Sequence, residues 1–446
     1  MKKKYQIILP VLLPLALIIS VVYMIQGRAD KDMEYKSYIS AAETYAEKGI
    51  FSDAVASYQS ALKINPSIET YLALGELYLK QEEYRNAFDW YEDELLNLYP
   101  QDSRTYEFGI RTLLAQNNAK EAFQVYDLYQ RHSLKSEIIE QEMQKIWYSF
   151  DLSGEYEEVR GFSNVNEIAA VKMGDTWGYI DTGGSRVIAN LYQSVGDFSN
   201  LAPVVDQTGE AFFIDTSGDK KLTASYFLDS DPEFGKITKF QNIQSNLVLA
   251  YNDEIWNYYD VNNYQKRFGG YFDALSVTNG VGAVSQDGDT WALISENGEK
   301  LTEFVYDQVV IDNKGVLCRN NAVIVQKDGE YWLVDKTGQQ INGTGYEKAC
   351  AFNENSLAAV KKEGRWIFVS EAGEEQSIGD FEEAKSFSAG AAAVKKDGKW
   401  GYIDMQGEWI IEPQFYDAEA FCSGGCAFVK TEENVWQLLK LYRFHH

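Results

Sequence analysis

The sequence predicts an α + β multidomain protein in three parts: a membrane-spanning helix, an array of helical pairs, and a larger all-β array of short repeats. Three observations support this prediction. An apolar run opens the chain, alanine and tyrosine then recur every 33 to 35 residues, and a tryptophan-centred stretch recurs through the remainder. The predicted parts are residues 1–28, 29–154 and 155–446.

The first part is predicted from the apolar run between Ile7 and Ile25, which is as long as a bilayer-spanning helix requires. Lys2, Lys3 and Lys4 precede the run, so the positive-inside rule places the N-terminus in the cytoplasm and the bulk outside, as a single-pass protein of the cell membrane. A cleaved signal peptide is the alternative, but no small-residue cleavage site follows the run.

Composition restricts the partners. The chain has 67 acidic and 41 basic side chains and a formal charge of -26, so it would repel nucleic acid over most of its surface. Four cysteines are present, and two of them, Cys422 and Cys426, lie in the segment "CSGGC". That spacing fits a tight disulfide or two free thiols, whereas a metal site would need further ligands that the segment lacks.

The second part is predicted to be helical. In "YISAAETYAEKGIFSDAVASYQSALKINP" and the two stretches after it, small residues and aromatics stand at the offsets of the tetratricopeptide (TPR) repeat, which this part resembles. The predicted core positions are Tyr38, Ala42, Tyr45, Ala54, Tyr58, Gly75, Tyr78, Ala87, Tyr91, Ala122 and Tyr126. A further helix is expected in "SEIIEQEMQKIWYSFDLSG", ending at Gly154. The resemblance implies a concave groove for a peptide or a partner helix, and a simple spacer is the alternative.

The third part contains eight copies of one stretch, best seen as "VKKDGKWGYIDMQGEWIIEP" at 394. The aromatic position of the copies is separated by 34, 45, 35, 40, 35, 34 and 36 residues. These positions are Trp177, Ala211, Trp256, Trp291, Tyr331, Trp366, Trp400 and Trp436. The unit resembles the WG (KWG) repeat, although only Trp177-Gly178 and Trp400-Gly401 carry the full dipeptide.

Turn chemistry predicts three strands in each copy. Asp-Gly pairs favour a first hairpin, and an aspartate followed three residues later by glycine favours a second. A short fourth strand is expected from segments such as "YDAEAF". The strands are almost continuously apolar, so neighbouring copies should cover both faces of each sheet. We expect a closed β-propeller-like ring of about eight units, completed by joining "EYEEVRGFSNV" to the last copy, with an open array as the alternative.

Two interpretations of the repeated residues are possible. The tryptophans could form a platform for glycans, but packing between neighbouring sheets explains one large aromatic per unit more simply. The Asp-x-x-Gly turns lack the oxygen ligands of a calcium site. Lys172, Lys361 and Lys395 stand at matching strand positions and could form a basic ring.

No catalytic residue, cofactor or metal site is predicted. His132, His445 and His446 are the only histidines, none stands near a nucleophile motif, and phosphate-binding glycine motifs are absent from the sequence. We therefore expect an envelope interaction scaffold that binds a protein or peptide, or a cell-wall polymer, through its helical groove and β head. An enzyme, which should show converging carboxylates of raised pKa, and a mechanical spacer are the alternatives.

Overall fold

A computed structural model of the chain describes residues 9–163, 167–353 and 357–443. The chain divides into two compact units, and the boundary between them in the sequence lies between Trp147 and Tyr148. The first unit is helical, and the second consists mainly of β-strands. They are called the helical unit and the β unit below.

The helical unit contains eight α-helices among its described residues, and a short π-helical segment, Tyr91–Leu95, interrupts one of them. The helices are α1 Leu9–Glu47, α2 Phe51–Ile64, α3 Ile68–Lys80, α4 Tyr84–Trp90, α5 Leu96–Leu98, α6 Ser103–Ala115, α7 Ala119–Arg131 and α8 Glu137–Lys145.

Four of these helices are capped at the N-terminus by a polar residue, whose side chain accepts a hydrogen bond from a backbone N–H of the first turn. The capping residues are Ser67 for α3, Asp102 for α6, Asn118 for α7 and Ser136 for α8. The expected additional helix is therefore present as α8, but it ends at Lys145 and not at Gly154, because the chain becomes extended from Phe150 onward.

Glycines allow close contact between the helices. At Gly75 in α3, an added Cβ would lie 2.5 Å from the ring of Phe108 in α6. At Gly109, it would lie 2.7 Å from the ring of Tyr91. Both aromatic side chains are almost completely buried, so the glycines provide the space that the rings fill.

The predicted membrane anchor is not supported. Within the described residues, no helix is both long enough and apolar enough to cross a bilayer. Helix α1 does not stop after the apolar run but continues through the charged segment that contains Arg28 and Asp32 into the first helical repeat. The prediction of a transmembrane helix, and with it the single-pass location in the cell membrane, is therefore wrong. Lys2, Lys3 and Lys4, on which the orientation depended, lie outside the described residues.

The β unit contains 31 strands among its described residues. The strands up to residue 271 are β1 Phe150–Tyr156, β2 Glu158–Val159, β3 Ile168–Met173, β4 Thr176–Asp181, β5 Arg186–Val195, β6 Ala202–Asp206, β7 Ala211–Ile214, β8 Lys220–Thr223, β9 Lys239–Phe240, β10 Leu247–Tyr251, β11 Trp256–Asp260 and β12 Lys266–Tyr271. A short helix, α9 Ala224–Leu228, and a 3₁₀ turn, Pro232–Phe234, precede β9.

The remaining strands follow from residue 273 to the end of the unit. They are β13 Asp273–Thr278, β14 Val281–Ser285, β15 Trp291–Ser295, β16 Gln308–Val309, β17 Cys318–Arg319, β18 Ala322–Lys327, β19 Glu330–Asp335, β20 Gln340–Tyr346, β21 Lys348–Ala349, β22 Leu357–Lys362, β23 Arg365–Ser370, β24 Glu375–Gln376, β25 Glu383–Ala384, β26 Ala391–Lys396, β27 Lys399–Asp404, β28 Trp409–Phe415, β29 Asp417–Ala418, β30 Cys426–Glu432 and β31 Val435–Leu441.

Most copies form the expected antiparallel unit of three strands with a short fourth. In the copy at 394, β26, β27 and β28 are joined by two turns, and the two-residue strand β25 pairs with β26. The same order of strands recurs in β9 to β12 and in β21 to β24. The segment "EYEEV" extends from β1 into β2, and β1 pairs with β31 in antiparallel register from Phe150↔Leu441 to Tyr156↔Trp436.

The expected closed propeller of about eight equivalent sheets is not seen. The described residues form seven sheets, which contain from three to seven strands. The seven-stranded sheet, β2 to β8, joins two copies because β5 continues past its own copy and pairs with β6. A propeller requires separate blades of similar size, so this prediction is wrong and the β unit is described as an array of antiparallel sheets.

The core of the β unit lies between neighbouring sheets. Val323 and Val325 of β18 pack in one cluster with residues of β14, while Ala322 and Ile324 of the same strand pack in another with residues of β22. Alternate side chains of one strand therefore serve two cores. This arrangement explains why the strands are apolar in almost every position.

Candidate functional site

The aromatic position of the copies has a repeated register. Trp400 of β27 lies opposite Lys395 of β26 on one side and opposite Phe415 of β28 on the other. Aromatic pairs at the same register are Trp177↔Tyr192, Trp256↔Tyr271, Trp291↔Tyr306, Tyr331↔Tyr346 and Trp436↔Tyr156. Directly opposed positions on neighbouring strands share one face of a sheet, so each pair places two large side chains on the same face.

Most of these aromatic side chains have little exposed surface. Trp256, Trp366, Trp400 and Trp436 are between 6% and 9% exposed, whereas Trp177, Trp291 and Tyr331 are half-buried. Ala211, which stands at this position in the second copy, is buried. The buried rings offer no open platform for a glycan, and their surroundings agree with a packing role.

The glycine after the tryptophan is required by the neighbouring backbone. An added Cβ at Gly401 would lie 2.5 Å from the carbonyl oxygen of Ile411 and 2.8 Å from the nitrogen of Pro413 in β28. At Gly178, it would lie 2.7 Å from the carbonyl oxygen of Ile188 in β5. In both copies the third strand bulges toward the second at this point, and only glycine leaves room for the bulge.

Two copies without this glycine carry one on the opposite strand. Asn257 replaces the glycine in β11 and lies opposite Gly269 of β12, where an added Cβ would come 2.7 Å from the Cα of Asn257. Trp332 replaces it in β19 and lies opposite Gly345 of β20. The space between the strands is thus preserved. In these two copies the glycine lies on the third strand, whereas Gly178 and Gly401 lie on the second.

The Asp-x-x-Gly turns are closed by side-chain hydrogen bonds. Oδ1 of Asp404 accepts the N–H groups of Gln406 and Glu408, each at 2.9 Å. The same two bonds are made by Asp181, Asp206, Asp215, Asp312 and Asp335. The carboxylates are therefore used by the turns themselves. No group of three or more metal-ligating side chains occurs in the described part of the chain.

A second carboxylate stabilises the first hairpin, and sequence analysis missed it. The Gly398 N–H donates to Oε2 of Glu382 at 3.1 Å. Equivalent bonds join Gly174 to Glu157, Gly329 to Asp307 and Gly364 to Glu347. The acid stands just before the short fourth strand in each case, so a recurring acid at this place was the available signal.

The lysines at the strand ends do not form a basic ring. Nζ of Lys395 lies 2.9 Å from Glu383, and Lys172 is paired in the same way with Glu158 of the adjacent short strand. Lys361 lies opposite Lys348 instead. Two of the three predicted charges are thus balanced by carboxylates.

A groove of about 700 Å³ lies in the β unit. It runs across three consecutive copies, and we call it the repeat groove. It is lined by the aromatic position of each copy, Tyr331, Trp366 and Trp400, and by the first residue of each short strand, Lys348, Glu383 and Asp417.

One lysine is fixed in the wall of the repeat groove. Nζ of Lys385 lies 5.4 Å from the ring centre of Trp400, 3.0 Å from Glu419 and 3.4 Å from Asp417. Burial alone would lower the pKa of Lys385, but the two carboxylates outweigh burial and the net effect raises its pKa. Lys385 therefore keeps its charge beside the aromatic ring.

The predicted core residues of the helical unit lie where helices cross. Ala42, Ala54, Tyr58, Ala87, Tyr91, Ala122 and Tyr126 are buried, as is Gly75, while Tyr38, Tyr45 and Tyr78 are half-buried. The hydroxyl of Tyr126 donates to Glu140 of α8 at 2.6 Å. A shallow pocket of about 410 Å³ lies beside this bond and is lined by Tyr129, Leu134, Lys135 and Glu140.

A cavity of about 430 Å³ lies elsewhere in the β unit and includes Arg160, Asn242 and Ser276 in its lining. Arg160 donates two hydrogen bonds to the buried carboxylate of Asp197, at 2.8 and 3.0 Å, and this contact raises the pKa of Arg160. Among the described carboxyl groups, every one with a shifted pKa is shifted downward, namely Glu69, Asp102, Asp206, Asp215, Asp287, Asp335 and Glu375.

Family models match both units. A model described as a WG containing repeat matches residues 177–206, 333–366, 379–400 and 400–436, and a tetratricopeptide repeat model matches residues 70–105. The chain carries TPR and WG repeats. The WG matches include the copies of Trp177, Trp366, Trp400 and Trp436 but leave out those of Trp256 and Trp291, in which alanine or asparagine follows the tryptophan. Repeats of both types generally serve protein interaction.

Other comparisons add little. A search of curated proteins finds no match. Among solved structures, the computationally designed Ika8 protein aligns with a TM-score of 0.44 and 12% identity, covering 64% of this chain and 97% of its own. A crystal structure of a eukaryotic initiation factor aligns with a TM-score of 0.42 and 12% identity, covering 66% of this chain and 93% of its own. At these TM-scores neither likeness carries an argument.

Proposed function

We propose that this protein is a non-catalytic interaction protein whose WG repeats bind an extended segment of a partner protein in the repeat groove. The observation that carries the proposal is the repetition inside the groove: the aromatic position of three consecutive copies lines it, and so does the first residue of the short strand that follows each of them in the sequence. A groove that repeats along its length suits an extended chain, because equivalent side chains can meet equivalent surroundings.

The chemistry of the groove restricts the partner segment. Lys348 is exposed, Glu383 and Asp417 carry the opposite charge, and Tyr416 contributes a ring that is 47% exposed. A segment with both acidic and basic side chains and at least one apolar anchor would complement these groups. The partner we propose is therefore a polypeptide of mixed charge.

Capture experiments with matched lysine variants test the repeat groove. The purified chain, its Lys348→Glu variant and its Lys236→Glu variant would be used to capture proteins from the source cell. Lys236 is also exposed but lies outside the groove, so it controls for the change in net charge. We expect one protein to be captured by the unchanged chain and the control, and its affinity for Lys348→Glu to fall by about tenfold, since tenfold corresponds to about 1.4 kcal/mol of binding free energy.

The outcome of the capture also separates the alternatives. Unchanged capture by both Lys348→Glu and Tyr416→Ala would reject the repeat groove as the binding site. Recovery of a cell-wall polymer in place of a protein would favour the glycan interpretation. Capture of nothing, together with normal folding of the chain, would favour a spacer.

We propose a second contact for the partner in the helical unit, at the shallow pocket beside α8. An exposed lysine, Lys135, lines this pocket, whereas Lys120 is exposed outside it. Lys135→Glu should therefore weaken binding of a partner that uses the helical unit, and Lys120→Glu should not. If neither variant changes the affinity while Lys348→Glu does, the partner uses the WG repeats alone.

A further inference from the structure

The segment 422–426 brings two thiols together in a tight turn. The Cys422 N–H donates to the Cys426 carbonyl at 2.8 Å, and the Gly425 N–H donates to the Cys422 carbonyl at 3.0 Å. Both cysteines are free and buried. The two residues are therefore joined by a backbone hydrogen bond across the turn, and their thiols are hydrogen-bonded to each other.

The two thiols have different surroundings. A hydrogen bond from the Cys426 thiol, supported by the backbone N–H groups of Cys426 and Gly424, lowers the pKa of Cys422, although burial and the Glu167 carboxylate oppose this effect. The pKa of Cys426 is raised, chiefly by its hydrogen bond to Cys422 and by burial, with Lys440 acting in the opposite direction. The hydrogen bond between the two thiols thus favours the thiolate form of Cys422.

The other two cysteines provide an internal contrast. Burial raises the pKa of Cys318, and it raises the pKa of Cys350 to about 11. Neither has a second cysteine in its segment. A reagent that requires a thiolate should therefore distinguish Cys422 from both.

Cys422 also lines a small cavity of about 10 Å³, which is close to the space that one water-sized molecule occupies. The guanidinium of Arg319 lines the same cavity and donates through Nη2 to Asp312 at 3.0 Å. Its buried Nε has no hydrogen-bond partner among the described residues. Cys422 and an arginine with an unused donor therefore line one small cavity.

We propose that Cys422 and Cys426 form a redox-active dithiol that reacts with hydrogen peroxide. The Cys422 thiolate attacks one peroxide oxygen, the O–O bond breaks, and the leaving hydroxide takes a proton, so the products are a sulfenic acid and water. The Cys426 sulfur then attacks the Cys422 sulfur and displaces a second water. Two protons and two electrons pass from the thiols to one peroxide, and a disulfide forms.

We assign Arg319 two roles in the first step: it positions the peroxide, and it stabilises the negative charge of the leaving hydroxide. Its Nε–H can donate to the oxygen that leaves as hydroxide, which a fixed cation stabilises. The same contact would hold the peroxide beside the sulfur.

The dithiol lies where the last WG copy contacts the first. The Cys426 thiol is 3.4 Å from the Thr182 carbonyl oxygen, and both cysteines belong to one core cluster with Tyr156, Phe162 and Trp436. Disulfide formation removes the S–H donor from Thr182. Oxidation would therefore alter the contact between these two copies as well as the thiols themselves.

Mass spectrometry of the full chain tests the proposal. After addition of hydrogen peroxide at neutral pH, we expect the chain to lose two hydrogen atoms and peptide mapping to place the new disulfide between Cys422 and Cys426. In Cys426→Ser the second step is blocked, so a sulfenic-acid probe such as dimedone should label Cys422. Cys318 and Cys350 serve as controls in the same sample, and their oxidation should be slower by about tenfold or more.

Arg319→Lys tests the cavity separately from the thiol. It should slow oxidation of Cys422 by peroxide by about tenfold while leaving alkylation of Cys422 by iodoacetamide unchanged, because only the peroxide reaction uses the donated hydrogen bond. Equal rates with peroxide in both chains would reject the role of Arg319. Oxidation of Cys422 no faster than that of Cys350 in the unchanged chain would overturn the proposal, and that measurement needs no variant.

Discussion

The helical unit and the β unit both use glycine to make room, but they make room for different things. In the helical unit, Gly75 and Gly109 face the rings of Phe108 and Tyr91. In the β unit, Gly178 and Gly401 face the backbone of the neighbouring strand. A ring can be replaced by a smaller side chain, whereas backbone cannot, and two β copies that have lost the glycine retain the space through a glycine on the opposite strand.

This difference explains how degenerate WG copies keep the same register. Asn257 and Trp332 occupy the glycine position, and Gly269 and Gly345 compensate from the opposite strand. In these two copies the close approach between the strands is kept, and a glycine on the third strand permits it.

Substitution of the full WG glycine should have the largest effect. Gly401→Ala places a Cβ against the carbonyl of Ile411, and relief requires the backbone of β28 to move, so we expect a loss of about 3 kcal/mol in the free energy of unfolding. Gly398→Ala is the control: an added Cβ meets open space there, and only the positive φ of 76° is strained, at a cost of about 1 kcal/mol. Urea unfolding measures both, and equal losses would contradict the close-approach explanation.

A double-mutant cycle tests compensation across the strands. Gly269→Ala should cost about 2 kcal/mol, because its Cβ would overlap Asn257. Adding Asn257→Gly removes the side chain from that contact, so the two changes should be coupled by about 1 kcal/mol in the favourable direction. Additive losses would mean that the two positions do not share the space.

We expect a smaller loss of stability from a glycine substitution in the helical unit, and a second side-chain substitution should restore part of it. Gly75→Ala pushes against the ring of Phe108 and should lower the free energy of unfolding by about 1.5 kcal/mol, because it overpacks a buried contact. Phe108→Leu added to Gly75→Ala should restore part of this loss. Gly27→Ala, where nothing lies near the added Cβ, should instead stabilise α1 slightly, since alanine favours helix. Thermal unfolding followed by circular dichroism compares these variants.

Asp287, in the Asp-Gly hairpin between β14 and β15, should give the smallest effect, visible as a dependence of stability on pH. Backbone N–H groups of Thr290 and Asp289, together with the Thr290 hydroxyl, lower the pKa of Asp287 to about 2. An unfolded aspartate titrates near about 3.9. The stabilisation is therefore fully present above that pH and is lost as the pH falls toward about 2.

The Asp287→Asn variant tests the direction of this pH dependence. The variant should be slightly less stable at pH 6, and the difference from the unchanged chain should shrink as the pH approaches 2. Asp253, an exposed residue of the loop before β11, provides the matched Asp→Asn control. A difference that grows at acidic pH would contradict the assigned hydrogen bonds.

The features that the sequence predicted well are those determined by neighbouring residues. The Asp-Gly hairpins and the Asp turns depend on side chains that act on backbone within four residues, as Asp404 does on Gln406 and Glu408. Helix α8 was expected for the same reason. Such local preferences can be recognised in one chain without knowledge of its tertiary contacts.

The features that it missed depend on residues far apart. The bond from Gly398 to Glu382 spans 16 residues, and the exchange of glycine between Asn257 and Gly269 appears only once the strands are paired. The pairing of β5 with β6 likewise overrides the separation of copies that the repeat period suggested. The membrane anchor was predicted from hydrophobicity alone, which could not reveal that α1 continues into the first helical repeat.

The pairing of β1 with β31 has a consequence for synthesis of the chain. Phe150 can pair with its partner Leu441 only when Leu441 has left the ribosome, about 290 residues later. Until then β1 exposes an unpaired edge that invites pairing with other nascent chains. The cell must therefore protect the first β-strand for the whole time that the WG repeats are being made.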